Sequence, residues 1–160
     1  MMRWSMAGKS RITLERMAED FAIRDVERGL RPGAIKALEG HRAAGDVIII
    51  ASAAVDIIVA PIAARLGIKY WVATTMKWEN DKLAYEFASP NCYGLEKLRR
   101  VKQLLNEKLE VKQINTLITM YSDSYSDLEL LRFSDHGVAV NADRKLKEAA
   151  RGENFDVVEW

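Results

Sequence analysis

The amino-acid sequence predicts an α/β fold with a mostly parallel sheet that helices cover on both faces. Short apolar runs, several of them rich in β-branched residues, recur along the 160-residue chain, and segments with helical apolar spacing separate them. This alternation is typical of parallel sheets, because each parallel connection needs a crossover. Hydrophobic residues make up 49% of the chain and charged residues 29%, which is the composition of a globular protein.

The charge balance and the residue types exclude several classes of function. The chain has 24 basic and 23 acidic residues, and a net charge of +1 gives no electrostatic reason to expect a nucleic-acid or acidic-membrane partner. The single cysteine, Cys92, rules out an internal disulfide, and with only two histidines beside it a structural zinc site is not expected. The first residues lack the apolar core of a signal peptide, so we expect a cytoplasmic protein.

Two helices are predicted in the first part of the chain. Apolar residues recur every three or four positions over residues 10–28, which predicts a helix that Gly29 ends. Pro32 favours the start of a second helix over residues 33–44, and Gly45 is suited to end it. The face of the first helix that we expect to be buried consists of Leu14, Met17, Ala18, Phe21 and Ala22.

A long apolar stretch covers residues 47–64. It contains Asp56 and Pro61, and a charge at the centre of a bilayer is costly. The stretch therefore predicts a buried strand followed by a buried helix rather than a membrane span. We place the strand at residues 47–51 and the helix at residues 54–66.

The second half of the chain continues the alternation. A strand over residues 70–75 is expected to return, through a turn at Asn80-Asp81, as a strand over residues 83–87, so that the two form a hairpin. A strongly amphipathic helix is predicted over residues 95–109. The remaining predicted elements are a strand at 114–121, a turn at 122–127, a helix at 128–133, a strand at 138–140, a helix at 144–151 and a strand at 155–160.

Polar residues that follow the strands are the candidate site residues, because ligands bind beyond the carboxyl ends of the strands in open parallel sheets. Ser52 follows the first strand and precedes a helix, where its hydroxyl would either bind a phosphate oxygen or cap the helix. Asp123 and Asp127 lie four residues apart after the strand at 114–121, and would either converge on Mg²⁺ or cap the next helix. Lys97 is either a solvated charge on its helix or the cation that neutralises a phosphoryl group.

Taken in order, these segments resemble a known family. Ile50-Ala51-Ser52-Ala53, Lys97 after Asn91-Cys92-Tyr93-Gly94, and the turn Ser122-Asp123-Ser124-Tyr125-Ser126-Asp127 are similar to the second, third and fourth motifs of the haloacid-dehalogenase-like (HAD) hydrolases. The most similar branch is subfamily IB, which is phosphoserine-phosphatase-like, and the resemblance covers residues 10–160. Further phrases that fit this branch are Leu30-Arg31-Pro32-Gly33-Ala34, His41-Arg42-Ala43-Ala44-Gly45-Asp46 and Val138-Ala139-Val140-Asn141.

The resemblance implies a three-layer, Rossmann-like core with a small hairpin and a helical cap, and it implies phosphoryl transfer from a small phosphorylated metabolite with Mg²⁺ as cofactor. In this family an aspartate of a first motif, Asp-x-Asp-x-Thr, attacks phosphorus. Carried over to this chain, Ser52 binds a phosphoryl oxygen and Lys97 neutralises its charge. Asp123 ligates Mg²⁺, and Asp127 either holds the metal shell or orients Lys97.

The first motif of the family does not occur in the chain. No aspartate is followed two positions later by another aspartate, and no hydrophobic strand precedes Val47. We therefore expect residues 1–30 to be the remnant of the helical cap and residues 31–160 to be the core without its first strand. The isolated chain would then have no nucleophile of its own. A milder departure is Ser122, which stands where the family usually has glycine.

Two functions remain open at this point. The chain is either the C-terminal portion of a HAD-type phosphatase, or a non-catalytic remnant that binds Mg²⁺ or phosphate or acts as an interaction module. Without the central strand, the strands that contain Val47 and Ile114 have unpaired edges, which are costly when buried. Those strands would pair with each other, with another chain, or with a missing segment of a longer protein, and exposed edges favour a homo-oligomer.

Overall fold

The computed structural model describes residues 6–108 and 116–160 and confirms the α/β class, since helices alternate with strands that pair mainly in parallel. The described residues divide into two compact units, an N-terminal unit that ends at Cys92 and a C-terminal unit from Tyr93 to Trp160. The predicted boundary at residue 30, between a cap remnant and a core, stays a prediction.

The N-terminal unit begins with the two predicted helices, α1 (Arg11–Arg28) and α2 (Pro32–Ala44). Ser10 caps α1 by accepting a hydrogen bond from the backbone N–H of Thr13, and Gly45 ends α2 in the left-handed conformation, with φ of 78°. Only part of the predicted face of α1 is buried. Leu14, Ala18 and Ala22 are buried, whereas Met17 and Phe21 are exposed. The buried residues are spaced by four, so the buried face of α1 is narrower than the apolar face that the sequence predicts.

Strand β1 (Ile49–Val55) lies later in the chain than predicted, and helix α3 (Asp56–Arg65) follows it directly. The prediction places Ser52 and Ala53 after the strand and Ala54 at the start of the helix, and this was wrong. They continue the strand through an irregularity in its pairing with β2 (Tyr70–Thr74), which lies parallel to it. Helix α1 packs against α3.

The predicted turn at Asn80-Asp81 is confirmed, but the hairpin contains a different first strand. Strands β3 (Met76–Glu79) and β4 (Lys82–Phe87) pair antiparallel across that turn, in which Asn80 and Asp81 have φ of 48° and 57°. The predicted strand over residues 70–75 is β2, which belongs to the parallel sheet. The chain leaves β2 at Thr75, whose N–H donates to the Ser89 hydroxyl over 2.9 Å.

The C-terminal unit contains a three-stranded parallel sheet in the order β5–β6–β7. The described part of the predicted helix over residues 95–109 is confirmed, whereas Leu109 and the predicted strand start at Ile114 lie outside the described residues. The elements are α4 (Leu95–Lys108), β5 (Thr119–Ser122), a 3-10 turn (Tyr125–Asp127), α5 (Leu128–Phe133), β6 (His136–Val140), α6 (Arg144–Ala150) and β7 (Asp156–Val158).

The apolar stretch over residues 47–64 contains all of β1 and most of α3, so it folds as a strand and a helix, as predicted from Asp56 and Pro61. Across residues 6–108 and 116–160, no helix has the length and the hydropathy that a bilayer crossing needs. Within the described part of its own unit, β1 pairs with β2 alone and β5 pairs with β6 alone. Association through sheet edges stays a prediction.

Candidate functional site

A buried ion pair between Lys97 and Asp127 is the centre of the candidate site. Lys97 lies in the first turn of α4, and Asp127 ends the 3-10 turn that follows β5; their exposed fractions are 6% and 7%. The ammonium nitrogen Nζ of Lys97 is 2.7 Å from Oδ1 and 2.8 Å from Oδ2 of Asp127. Buried charges persist only when they are paired, so Lys97 is no solvated surface charge.

Asp127 is held from a second side by Ser122, the residue that stands in place of the family's glycine. The Ser122 hydroxyl donates to Asp127 Oδ2 over 2.8 Å and accepts the backbone N–H of Ser124 over 3.2 Å. Asp127 Oδ1 lies against Lys97 but receives no well-aligned hydrogen bond. The departure from glycine therefore adds a donor to the carboxylate that binds Lys97.

The predicted cap at Asp127 is wrong, although the residue stands at the N-cap position of α5. Its side chain makes no capping hydrogen bond, because Lys97 and Ser122 engage the carboxylate instead. Of the two roles that the resemblance leaves to Asp127, this geometry fits the orientation of Lys97.

Asp123 differs from Asp127 in the exposure of its carboxylate and in its interactions. It is exposed, and within the described residues its carboxylate has neither a hydrogen bond nor an ion pair. No group of three or more His, Cys, Asp or Glu side chains that could hold a metal occurs in residues 6–108 and 116–160. Mg²⁺ is commonly held by one or two carboxylates together with water and substrate phosphate, and the Asp123 carboxylate fits that role.

Asp143, at the N-cap of α6, is a residue that the sequence reasoning missed. Its carboxylate accepts the backbone N–H groups of Tyr125 and Leu146, and these two hydrogen bonds hold its pKa below the ordinary value of 3.8. The signal in the sequence is an aspartate directly before a helical segment. That signal predicts the bond to Leu146 but not the bond to Tyr125, which lies 18 residues earlier.

Ser52 lies in the N-terminal unit, inside β1 rather than after it. Its hydroxyl accepts the backbone N–H of Ala54 over 3.1 Å. Val55 occupies the N-cap position of α3, so the interpretation of Ser52 as a helix cap is wrong. Its distance from the helix start also weakens the argument from the helix dipole. A phosphate-binding role for Ser52, and its expected place beside Lys97, stay predictions.

Thr74, which the sequence reasoning also missed, ties the end of β1 to the loop before residue 93. The side chain is 1% exposed, and its Oγ1 is 3.0 Å from both the Ala53 carbonyl and Asn91 Oδ1. Since a hydroxyl has one proton, it donates to one of these oxygens at a time. Oγ1 also accepts the N–H of Cys92 over 2.9 Å. Thr74 thereby fixes the backbone next to Ser52.

Asp56, at the start of α3, is a half-buried carboxyl in the same unit. Its Oδ1 accepts the N–H of Ile57 over 2.8 Å, and both oxygens are 3.3 Å from the N–H of Met76. Burial nevertheless raises the pKa of Asp56 above the ordinary value of 3.8. The folded chain thus binds this proton more tightly than the unfolded chain does.

We expect this carboxyl to make the N-terminal unit less stable as the pH rises. The contribution of the Asp56 proton is complete below pH 3.8 and is lost as the pH rises through the raised pKa. Asp56→Asn keeps an acceptor for Ile57 but has no proton to lose, so its stability relative to the wild type should increase from pH 3.8 towards neutrality. Urea denaturation over a pH series measures the difference, and parallel stability curves for the two proteins would contradict it.

Comparison with known proteins gives matches that run through both units. Residues 1–132 match the family model of the haloacid dehalogenase-like hydrolases. Histidinol-phosphatase of Neisseria meningitidis is 26% identical over 163 residues, which cover 99% of this chain and 73% of that protein. Phosphoserine phosphatase of Mycobacterium tuberculosis is 25% identical over 151 residues, which cover 94% of this chain and 48% of that protein. Two other curated relatives from that species are 32% identical, and the chain spans 42% of their length.

A solved structure shares the fold over almost the whole chain. The crystal structure of a protein of unknown function from Bordetella pertussis superposes with a TM-score of 0.83 at 28% identity, and the match covers 98% of this chain and 70% of that one. A phosphoserine phosphatase structure shares the fold at 21% identity with a TM-score of 0.63, over 79% of this chain and 59% of that one. The resemblance seen in the ordered motifs thus extends to the three-dimensional fold.

Proposed function

Because this chain belongs to the haloacid dehalogenase-like hydrolase family, we propose that it serves the Mg²⁺-dependent hydrolysis of a small phosphorylated metabolite. Relatives named as phosphatases of histidinol phosphate and of phosphoserine support a phosphomonoester as substrate. The observation that carries the proposal is the buried pair of Lys97 and Asp127 at the carboxyl end of β5, where an open parallel sheet binds its ligand.

The described side chains have distinct roles in this proposal. Lys97 brings a positive charge to a phosphoryl group, and Asp127 together with Ser122 holds the ammonium group in position. The Asp123 carboxylate is the protein ligand of Mg²⁺, which when bound compensates negative charge on the phosphoryl oxygens. Ser52 donates a hydrogen bond to a phosphoryl oxygen. Such positioning and charge compensation are what phosphoryl transfer requires of a protein.

The nucleophile is the part that these 160 residues do not contain, since no Asp-x-Asp pair occurs in them. Lys97, Ser52 and Asp123 bind and orient, but none of them replaces a carboxylate that attacks phosphorus. We propose that turnover needs a segment with Asp-x-Asp-x-Thr in addition to this chain. The second candidate function, a non-catalytic module that binds phosphate or Mg²⁺, is favoured by the same absence.

We expect the 160-residue chain alone to leave p-nitrophenyl phosphate unhydrolysed in the presence of Mg²⁺. The same chain joined to a family segment that contains a strand and Asp-x-Asp-x-Thr should hydrolyse it, because only the nucleophile was lacking. Release of p-nitrophenol measures turnover, and Asp123→Asn should abolish it while Asp135→Asn, an exposed carboxyl at the other end of β5, leaves it unchanged.

Each outcome of this experiment decides between the candidates. Turnover by the 160-residue chain that Asp123→Asn abolishes would contradict the need for a further segment. No turnover by the joined chain, with phosphate still bound in a calorimetric titration, would identify the non-catalytic module. Phosphoserine and histidinol phosphate, offered to an active joined chain, then test the substrate class.

A further inference from the structure

Asp143 connects the loop after β5 to the start of α6, because it makes two hydrogen bonds to the loop and also caps the helix. Its Oδ2 accepts the backbone N–H of Tyr125 and its Oδ1 accepts the backbone N–H of Leu146, each over 2.8 Å. Its own backbone N–H donates to the carbonyl of Asp123 over 2.7 Å. One residue therefore binds the loop on both sides of Ser124.

This arrangement matters because the Asp123 side chain has no support of its own. Its carboxylate is exposed and, among the described residues, has no hydrogen bond or ion pair. The direction of the side chain consequently depends on the backbone of residues 123–125, which Asp143 holds at both ends. From inside the loop, the Ser122 hydroxyl accepts the N–H of Ser124 over 3.2 Å. Ser124 in turn accepts the N–H groups of Ser126 and Asp127, which adds to this restraint.

We propose that Asp143 is a positioning residue, which presents the Asp123 carboxylate to a divalent cation by tying the loop after β5 to α6. The inference rests on the proposed function, because it takes Asp123 as the ligand of Mg²⁺. Asp143 acts through the backbone of its neighbours and does not touch the cation.

A carboxylate is needed at position 143 because two N–H groups must be accepted in different directions. Serine is also a good N-cap residue and would keep the bond to Leu146. Its single, shorter side-chain oxygen cannot accept the N–H of Tyr125 as well. Asp143→Ser therefore removes the link to the loop and leaves the cap of α6 in place.

Asp135 is a matched control, because it bonds to the chain at the end of β5 opposite to Asp123. Its Oδ2 accepts the N–H of Ile118, just before β5, over 2.8 Å, and it is exposed. Asp135→Asn thus weakens a bond of the same kind in the same unit, far along β5 from Asp123. It measures what the loss of such a charge and such a bond costs in general.

The test titrates Mg²⁺ into the full chain and follows the amide NMR signals of residues 123–125. Asp143→Ser should weaken the Mg²⁺ affinity by about tenfold or more, as the loss of a supporting residue around a metal ligand usually does. Asp135→Asn should keep the wild-type affinity. Urea denaturation of both variants shows whether the affinity changes while the stability does not, and an unchanged affinity in Asp143→Ser would overturn the inference.

Amide hydrogen exchange in the metal-free chain provides a measurement that does not depend on Mg²⁺. Asp143→Ser should raise the exchange rate at Tyr125 by about tenfold, because the amide loses its acceptor, and Asp135→Asn should not. Equal exchange rates at Tyr125 in Asp143→Ser and the wild type would show that Asp143 does not hold this loop, and would refute its positioning role directly. Mg²⁺ binding that survives Asp123→Asn would refute the proposed metal ligand instead, so the two failures are distinguishable.

Discussion

Asp127→Leu is expected to destabilise the C-terminal unit by about 3–5 kcal/mol, because it leaves the Lys97 ammonium group buried without its partner. The converse change, Lys97→Met, leaves the Asp127 carboxylate buried with Ser122 as its remaining donor, and should also be strongly destabilising. Urea denaturation, followed by methyl NMR signals of leucines in the core of this unit, measures both free energies of unfolding.

A matched control separates burial from charge. Glu148 pairs with Arg144 at 3.0 Å on the exposed side of α6, so Glu148→Leu removes an ion pair of similar length that water surrounds. Exposed pairs contribute at most about 1 kcal/mol, and the variant should unfold almost as the wild type does. An equally small effect of Asp127→Leu would show that water reaches the Lys97–Asp127 pair.

The double variant Lys97→Met with Asp127→Leu indicates why the pair is there. Two apolar side chains of similar volume need no charge partner, so most of the lost stability should return. Phosphate binding should not return, since the cation is gone. Stability that returns without phosphate binding would support the proposal that the Lys97–Asp127 pair serves to bind phosphate.

The helix boundaries were predictable where a local chemical signal marks them. The helix predicted over residues 10–28 begins at Arg11, directly after its cap at Ser10, and Gly45 ends α2 in the left-handed conformation as predicted. The boundary between β1 and α3 was predicted incorrectly, because the small residues between Ala51 and Val55 suit a strand or a helix equally well. Pairing with β2 keeps these residues in the strand, and the partner of Ala51 in β2 lies 21 residues further along the chain.

The candidate site was predictable from the resemblance of an ordered set of motifs, which also implied that Asp127 could orient Lys97, but not from the local sequence around each residue. A single lysine on an amphipathic helix is usually solvated, and its burial against Asp127 arises from a loop 30 residues away. The link from Asp143 to Tyr125 is equally non-local. Local spacing cannot predict such contacts, because tertiary packing alone brings the partners together.

Leu131→Ala is the second large effect we expect, with a loss of about 2–5 kcal/mol in the free energy of unfolding of the C-terminal unit. Leu131 lies on α5, is completely buried, and packs with Ala139 and Leu146 in the core against the sheet. Truncation removes its apolar contacts and leaves a cavity that the parallel strands cannot close. The same urea denaturation measures the effect.

Leu95→Ala is the control for this change, because Leu95 is 69% exposed at the start of α4 and its truncation should alter stability little. The two large effects should also be coupled, since Asp127 directly precedes the helix that contains Leu131. Combining Asp127→Leu with Leu131→Ala should therefore give a loss that differs from the sum of the single losses. Strict additivity would show that the packing of Leu131 in the core does not affect the Lys97–Asp127 ion pair. The ion pair would then depend on α4 and the 3-10 turn alone.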